Sequence, residues 1–279
     1  MEKNNPVARG IGSGLLGFLS LVYIVPIIVI LINAFKEKTY INLEPFAFPT
    51  ELTSAGWDNF VKVIVEYDFL PALGWTLFIT IFSVAAILIC TSMCAWWITR
   101  IKGRVSNTIY ALCALSMVVP FQMVMFTLSF IADRLGLNTP WGLIIIYLGF
   151  GAGLAIFMFC GFIRNIPVEV EEAALIDGCS PPRMFFSVVL PMLKPGFISI
   201  GILQAMWIWN DFLLPYLTLD INQYKTISII VQYMKGTYGS VDMGAIMALL
   251  VLAIIPAIVF YFACQKHIIK GVASGAVKG

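Results

Sequence analysis

Carboxylates concentrate in one polar stretch of an otherwise greasy chain: Glu169, Glu171, Glu172 and Asp177 lie within residues 169–195, EVEEAALIDGCSPPRMFFSVVLPMLKP. Pro167 suits the first position of a helix, where a missing N–H is harmless, and the glutamates then fall in the first turns, where the macrodipole favours anions. Gly178 supplies the positive φ needed to end that helix near Asp177, and Ser180 before Pro181 restarts a second one as N-cap and N1. The spacing predicts helix, sharp turn, helix. On the first helix Val170, Ala173, Ala174 and Asp177 share one face, with Glu172, Leu175 and Ile176 on the other; on the second, Met184, Phe185, Val188 and Val189 form a greasy ridge closed by Leu190-Pro191. Short helices carrying acids and a greasy ridge suit docking into a partner's cleft.

A second chemical candidate is Asp211, inside the apolar run Trp207-Ile208-Trp209-Asn210-Asp211-Phe212-Leu213. A carboxylate at membrane depth is costly unless it faces water or a bundle interior, which makes it a functional candidate. Equally, Asp211 fits a position near the outer boundary, where Pro215 breaks the helix and the carboxylate structures a bend through backbone hydrogen bonds.

Other chemistries find no support in the sequence. The one histidine, His267, cannot build a metal site alone, and the six cysteines have no zinc or redox spacing in a plausible setting. Cys90, Cys94, Cys113, Cys160 and Cys264 read as small core residues of apolar runs, and Cys179 lies in the acidic stretch. No GxxxxGK[ST] loop is present to cradle phosphates, so the chain has no nucleotide site of its own.

The elements that position these groups are membrane helices. Of 279 residues, 60% are hydrophobic and 11% charged, and the mean hydropathy is +0.94. A soluble domain is nearer half apolar and a quarter charged, so the expected fold is all-α and polytopic in a membrane. Six spans are expected, at 11–35, 74–97, 107–131, 141–163, 195–219 and 243–264. The first is too long for the apolar core of a signal peptide and lacks a small-residue cleavage site. A loop at 36–73, containing Trp57-Asp58-Asn59-Phe60, reads as hydrated with an interfacial helix, and Pro120 can kink the third span. Gly149 and Gly153 have the GxxxG spacing of closely packed helices, a weak signal.

With the N-terminus inside, Lys3, Arg9, Arg100, Lys102, Arg104, Arg164, Arg183, Lys194, Lys266, Lys270 and Lys278 are cytoplasmic. Lys36, Lys38, Lys62, Arg134, Lys225 and Lys235 are external. Eleven against six of the 17 basic residues obeys the positive-inside rule, and puts both termini and the acidic stretch in the cytoplasm. The basic residues sit in short loops rather than one patch, so the net charge of +2 does not point to nucleic acid. One membrane domain, 1–279, is the simplest partition, with the helix–turn–helix at 164–194 as a loop within it.

Glu172-Ala173-Ala174, Asp177-Gly178, Leu190-Pro191 and Pro195-Gly196 resemble, in type and spacing, the cytoplasmic EAA loop of ABC importer permeases; Cys179 stands where that family usually has alanine. Trp207 to Leu213, Trp57-Asp58-Asn59-Phe60, Arg100 with Gly103-Arg104, and the ending Gly275-Ala276-Val277-Lys278-Gly279 resemble the maltose-type sugar branch, in particular its second permease subunit. The resemblance covers nearly the whole chain. It implies half of an import channel in a bacterial or archaeal inner membrane, paired with a second related permease, two cytoplasmic ATPase subunits that bind ATP and Mg, and an external solute-binding protein. It also implies that Glu172, Ala173, Ala174, Asp177, Gly178, Phe185, Leu190 and Pro191 couple to an ATPase, Glu172 by offering a carboxylate to a basic residue, and that Gly275 to Gly279 touch it too. Trp207, Trp209, Asn210 and Asp211 become candidates for a sugar pathway, since sugars take aromatic faces and hydroxyl-matching polar groups. A glycerol phosphodiester or polyol is the alternative solute within the family. An ion-coupled secondary transporter would need several buried ionisable groups where only Asp211 qualifies, and a membrane enzyme would need a paired His or Asp motif.

Overall fold

The structure is a computed structural model in which residues 6–236 and 241–276 are described, with side chains over 10–234 and 241–266. Regular structure among the described residues is helical, apart from one isolated bridge between Lys36 and Ser54. Four helices are long and apolar enough to cross a membrane: α1 (Pro6–Asn33), α4 (Phe69–Arg100), α7 (Pro140–Ile163) and α14 (Met243–Ala276). Two bent helix pairs bring the total among the described residues to six if each is one span.

The first bent pair corrects the third expected span. Instead of a kinked helix over 107–131, α5 (Arg104–Ser116) and α6 (Phe121–Arg134) meet at 103°. Proline disfavours helical backbone in the residue before it, and Pro120 itself lies extended at ψ 137, so the chain leaves one helix before entering the next. The last turn of α5 tightens, with Met117 and Val118 donating to the carbonyls of Ala114 and Leu115.

The second correction concerns 195–219. Helix α11 (Lys194–Asn210) stops at Asp211, which is extended (φ −72, ψ 129), and a short α12 (Leu213–Thr218) follows. Pro215 is not the breaker, because it sits in the first turn of α12, where no amide donor is needed. Upstream, α11 forms a 78° bend with the segment Pro181–Met192.

The chain packs as two compact units, Met1–Leu70 with Ile230–Val259, and Pro71–Ile229 with Phe260–Gly279. In the first, the stretch after α1 folds into α2 (Lys38–Leu43) and α3 (Asp58–Val65), the latter starting at the expected interfacial motif. Asn59 organises it: its buried amide donates to the carbonyls of Ala34 and Lys36 at 2.9 Å each. Lys36 is itself buried and donates Nζ to the Glu44 carbonyl at 2.7 Å. Phe35, Trp57 and Phe60 pack edge-on or tilted with centroids 5.0–5.3 Å apart, which closes the ring of contacts. Lys62 and Asp242 form an ion pair at 3.3 Å. The Asp242 carboxylate, by hydrogen bond and charge, holds the Lys62 ammonium above the ordinary lysine range.

The second unit holds the larger core, built from Ile87 and Ala95 of α4, Leu143, Tyr147, Phe159 and Ile163 of α7, and Ile200 and Ile208 of α11. Gly153 lets α5 cross α7: a β-carbon there would come within 2.5 Å of Ser116 Oγ and 2.8 Å of the Cys113 carbonyl. Gly149 has open space around it, so only one glycine of the GxxxG pair is needed for close approach.

Candidate functional site

Helix α8 (Val168–Ile176), the tight turn at Gly178, and α9 (Pro181–Met184) form the expected helix–turn–helix. Pro167 stands one residue earlier than predicted, as N-cap rather than first helical residue. The turn is a Schellman motif: Cys179 N–H donates to the Ala174 carbonyl and Gly178 N–H to the Leu175 carbonyl, each at 3.0 Å, with Gly178 at φ +78. A β-carbon on Gly178 would meet nothing within 4 Å, so glycine is required by backbone conformation and not by space. Ser180 and Pro181 then restart the chain as N-cap and N1, as their types predict.

The second arm does not continue as a plain α-helix. After Met184 it widens into a π-helical turn, Phe185–Val189, closed by a Leu190 N–H to Phe185 carbonyl bond, and then α10 (Leu190–Met192). Pro191 explains this, because it has no N–H for the Ser187 carbonyl and its ring would crowd that carbonyl in a normal turn.

The faces of the loop differ from the sequence expectation. Ala173 and Ala174 do not share a low docking face: Ala174 is buried with Glu171, three residues earlier, while Ala173 is exposed beside Glu172. The ridge of Met184, Phe185 and Val189 is buried within this chain, so Phe185 anchors the loop from inside. Leu190 is half-buried and Pro191 exposed. Facing outward are Glu172, Leu175 at 52% exposure, Ile176 at 86% and Asp177, with Glu169 and Val170 also exposed at the start of α8 and Phe186 on the second arm. Of the tail residues, Gly275 and Ala276 form the end of α14, and Val277, Lys278 and Gly279 lie outside the described residues.

Sequence reasoning missed the carboxylate that is buried. Glu171, 5% exposed, accepts from Arg100 Nε at 2.9 Å and Nη2 at 2.7 Å through Oε1, and from Trp96 Nε1 at 3.0 Å through Oε2. Arg100 Nη2 also donates to the carbonyls of Ile166 at 3.0 Å and Ile163 at 3.4 Å, where the chain leaves α7; the Ile163 carbonyl accepts from the Ile166 N–H as well. Both carboxylate oxygens are satisfied, which makes a buried ion pair tolerable. Trp96 also lies against Phe185, ring centroids 5.5 Å apart, so one helical face of α4 holds both arms of the loop. The available signal was Trp96 and Arg100 four residues apart at the end of one helix, on the side of the membrane where the positive-inside rule also puts the acidic stretch.

The pathway candidates separate into two groups. Helix α11 buries Gly196, Ile200, Gln204 and Ile208 on one face. Leu203, Met206, Trp207 and Asn210 form an exposed stripe on another, at helical spacing. Trp209 and Asp211 instead line a small cavity with Tyr147, Thr76 and Thr80. Asp211 accepts from the Tyr147 hydroxyl at 3.0 Å through Oδ2 and from the Leu213 and Leu214 amides at 3.0 and 3.4 Å through Oδ1. Asp211 thus caps α12 and braces α7, the bend-forming role among the two open at sequence level. Tyr147 also meets Trp207 edge-on at 5.5 Å.

The arrangement is a loop with one carboxylate, Glu171, turned in and three, Glu169, Glu172 and Asp177, turned out, tied through Arg100 to the ends of two long helices. Residues 87–274 match the model of the family described as "Binding-protein-dependent transport system inner membrane component". The chain belongs to that family. It is thus a permease, a multi-pass membrane subunit of an ABC importer, and relatives match it over nearly its full length. One is the probable starch degradation products transport system permease protein AmyC of Thermoanaerobacterium thermosulfurigenes, 37% identical over 261 residues, 93% of each chain. Another is the multiple sugar-binding transport system permease protein MsmG of Streptococcus mutans, 33% identical over 263 residues, covering 92% of the permease and 93% of the relative. The fold is that of a solved bacterial ABC transporter involved in import of the acidic polysaccharide alginate, with TM-score 0.81 at 21% identity over 95% of the permease and 98% of that chain. A second alginate transporter structure, in complex with a pentasaccharide-bound periplasmic protein, matches with TM-score 0.64 at 18% identity over 92% and 94% of the chains.

Proposed function

We propose that the permease forms one half of the translocation pathway for a sugar or oligosaccharide and receives its drive through the loop at 164–194. The observation that carries this reading is the outward face of that loop. Glu172, Leu175 and Ile176 are exposed on a helix whose other face is fixed by burial, so a charged and greasy surface is held ready for a partner. The partner is a cytoplasmic ATPase subunit, one of two, which binds ATP and Mg where this chain has no phosphate loop. Glu172 pairs with a basic residue there, and such a pair fixes register more than it adds affinity. With 17 basic residues distributed as described above, the loop and both termini are cytoplasmic, in a bacterial or archaeal inner membrane.

The other half of the pathway comes from a second, related permease, and an extracytoplasmic solute-binding protein delivers the solute. The stripe of Leu203, Met206, Trp207 and Asn210 faces that pathway, offering an aromatic ring and an amide to sugar hydroxyls. Helix α1, whose apolar side chains are exposed from Ile11 to Leu31, meets lipid or the second permease. The relatives named for starch degradation products and multiple sugars favour carbohydrate over a glycerol phosphodiester or polyol. An ion-coupled secondary transporter is disfavoured because Asp211 has both oxygens engaged in capping and bracing.

The test is reconstitution of the permease pair with ATPase subunits, binding protein and maltooligosaccharides in vesicles. Glu172→Lys and Ile176→Asp are expected to leave the permease pair assembled while abolishing ATPase binding and uptake. Uptake without any ATPase subunit, driven by an ion gradient, would overturn the reading.

A further inference from the structure

Three chain segments end at one point in the second compact unit. Helix α4 arrives with Trp96 and Arg100 in its last two turns, α7 ends at Ile163 with Ile166 three residues on, and α8 carries Glu171 in its first turn. Arg100 joins all three: its charge pairs with Glu171 in the first turn of α8, and its Nη2 donates to the carbonyls of Ile163, the last residue of α7, and Ile166, just beyond it. Cation at a helix C-terminus and anion at a helix N-terminus are both the favoured placements. Trp96 adds a bond to the same carboxylate and ring contact with Phe185 on the second arm.

The helices leaving this point are not equivalent. The loop's direct continuation into α11 passes through a 78° bend, and α5 to α6 turns by 103°. A broken helix can absorb a displacement at its break instead of passing it on. By contrast α4 runs 32 residues without an interior break, roughly 48 Å at 1.5 Å per residue. Towards its far end Thr76 and Thr80 line the small cavity shared with Trp209 and Asp211.

We propose that Arg100, Glu171 and Trp96 form a rigid joint that makes α4 and the coupling loop move as one body, so that α4 is the lever carrying loop displacement to the pathway end of the permease. These are positioning residues: none meets the solute or the ATPase. Glu171, buried at 5% exposure, serves the joint, and Glu172 serves the docking. The proposal rests on the reading of the loop as the ATPase docking element.

The experiment uses the full complex in lipid nanodiscs with spin labels at Arg183→Cys, exposed on the second arm, and Phe82→Cys, exposed on α4, in a cysteine-free background. Pulsed electron–electron distance distributions are compared between nucleotide-free and ATP–vanadate-trapped states. With the joint intact, the distance is expected to be single and unchanged by trapping. The double variant Arg100→Met/Glu171→Leu removes both charges together, which leaves neither orphaned and so should fold. Its distribution is expected to broaden about twofold and to shift on trapping, because the ties to the Ile163 and Ile166 carbonyls and to Trp96 are gone. A wild-type distance that changes on trapping, or a double variant as narrow and unresponsive as wild type, would each overturn the joint. Failure of the docking reading is seen separately: there, Ile176→Asp would leave ATPase co-purification intact whatever the distances show.

Discussion

Gly178 offers a graded test of how the loop is built. Its φ of +78 closes the Schellman motif, and a β-carbon there has nothing within 4 Å, so substitution by alanine adds no clash. What remains is the backbone cost of an L-residue in the left-handed region, about 1–2 kcal/mol. Part of it is offset because alanine also narrows the unfolded ensemble, leaving a net cost of about 1 kcal/mol, or roughly fivefold in an equilibrium constant. Asparagine tolerates that region better and is expected to cost no more than about half as much. Proline cannot reach a positive φ and also removes the amide that donates to the Leu175 carbonyl at 3.0 Å, so the motif must open and the Pro181–Met184 arm must swing away. A cost of at least about 3 kcal/mol, beyond a hundredfold, is expected. Affinity of the ATPase subunit for the permease pair in nanodiscs should therefore fall in the order Asn, Ala, Pro, within twofold, about fivefold and beyond a hundredfold respectively. A flat series would refute the role of the turn. Alanine as damaging as proline would refute the claim that space around Gly178 is unimportant.

Three further outcomes follow from the packing. Gly153→Val should lower the thermal stability of the detergent-solubilised permease by about 1–3 kcal/mol, because the Cys113 carbonyl and Ser116 hydroxyl cannot retreat without moving α5, whereas Gly149→Val should be near neutral. Trp207→Ala should raise the KM for oligosaccharide uptake about tenfold and Asn210→Ala a few-fold, with ATPase binding unchanged, as loss of one ring contact or one hydrogen bond implies. For the Lys62–Asp242 pair, the folded lysine value lies above its ordinary 10.5, so the stabilisation is complete below that value and is lost as pH rises through the folded one. Thermal scans of Lys62→Met against the parent should therefore differ by a constant amount, under about 1 kcal/mol for so exposed a pair, from pH 6 to 9 and converge only in strong alkali.

What was legible in the sequence is what local chemistry decides. Hydropathy located the four long unbroken spans, and Gly178, Ser180 and Pro181 announced their turn and restart because those residues fit few other backbones. Breaks were harder. Pro120 permits a kink or a full turn, and only packing selects the 103° bend. Pro215 is the expected break, but α11 stops at Asn210, the Asp211 carboxylate takes the first amides of α12, and the Tyr147 hydroxyl that shares it is 64 residues away. The same limit hid Glu171. Helical periodicity sorts Glu171, Glu172, Ala173 and Ala174 around a cylinder but cannot say which side meets Trp96 and Arg100, and the adjacent acids have opposite fates.

Those opposite fates narrow the docking interface. The greasy ridge expected to enter a partner's cleft, Met184, Phe185 and Val189, is spent inside the chain, where it meets Trp96 and the core. Burying a side chain such as Phe185 stabilises by about 1.5–3 kcal/mol, more than any one local hydrogen bond of the loop contributes, so the inward ridge helps keep the arms ordered before any partner arrives. A preordered loop loses little conformational freedom on docking. Specificity then depends on the few outward groups, Glu172, Leu175 and Ile176, which a single helical turn presents together. Small interfaces concentrated on so few side chains are sensitive at each of them. Leu175→Asp alone, at a half-exposed position outside the core, should therefore abolish ATPase binding while leaving the melting temperature of the permease unchanged. A variant that melts early, or that still binds, would mean that the loop is held or recognised through a different face.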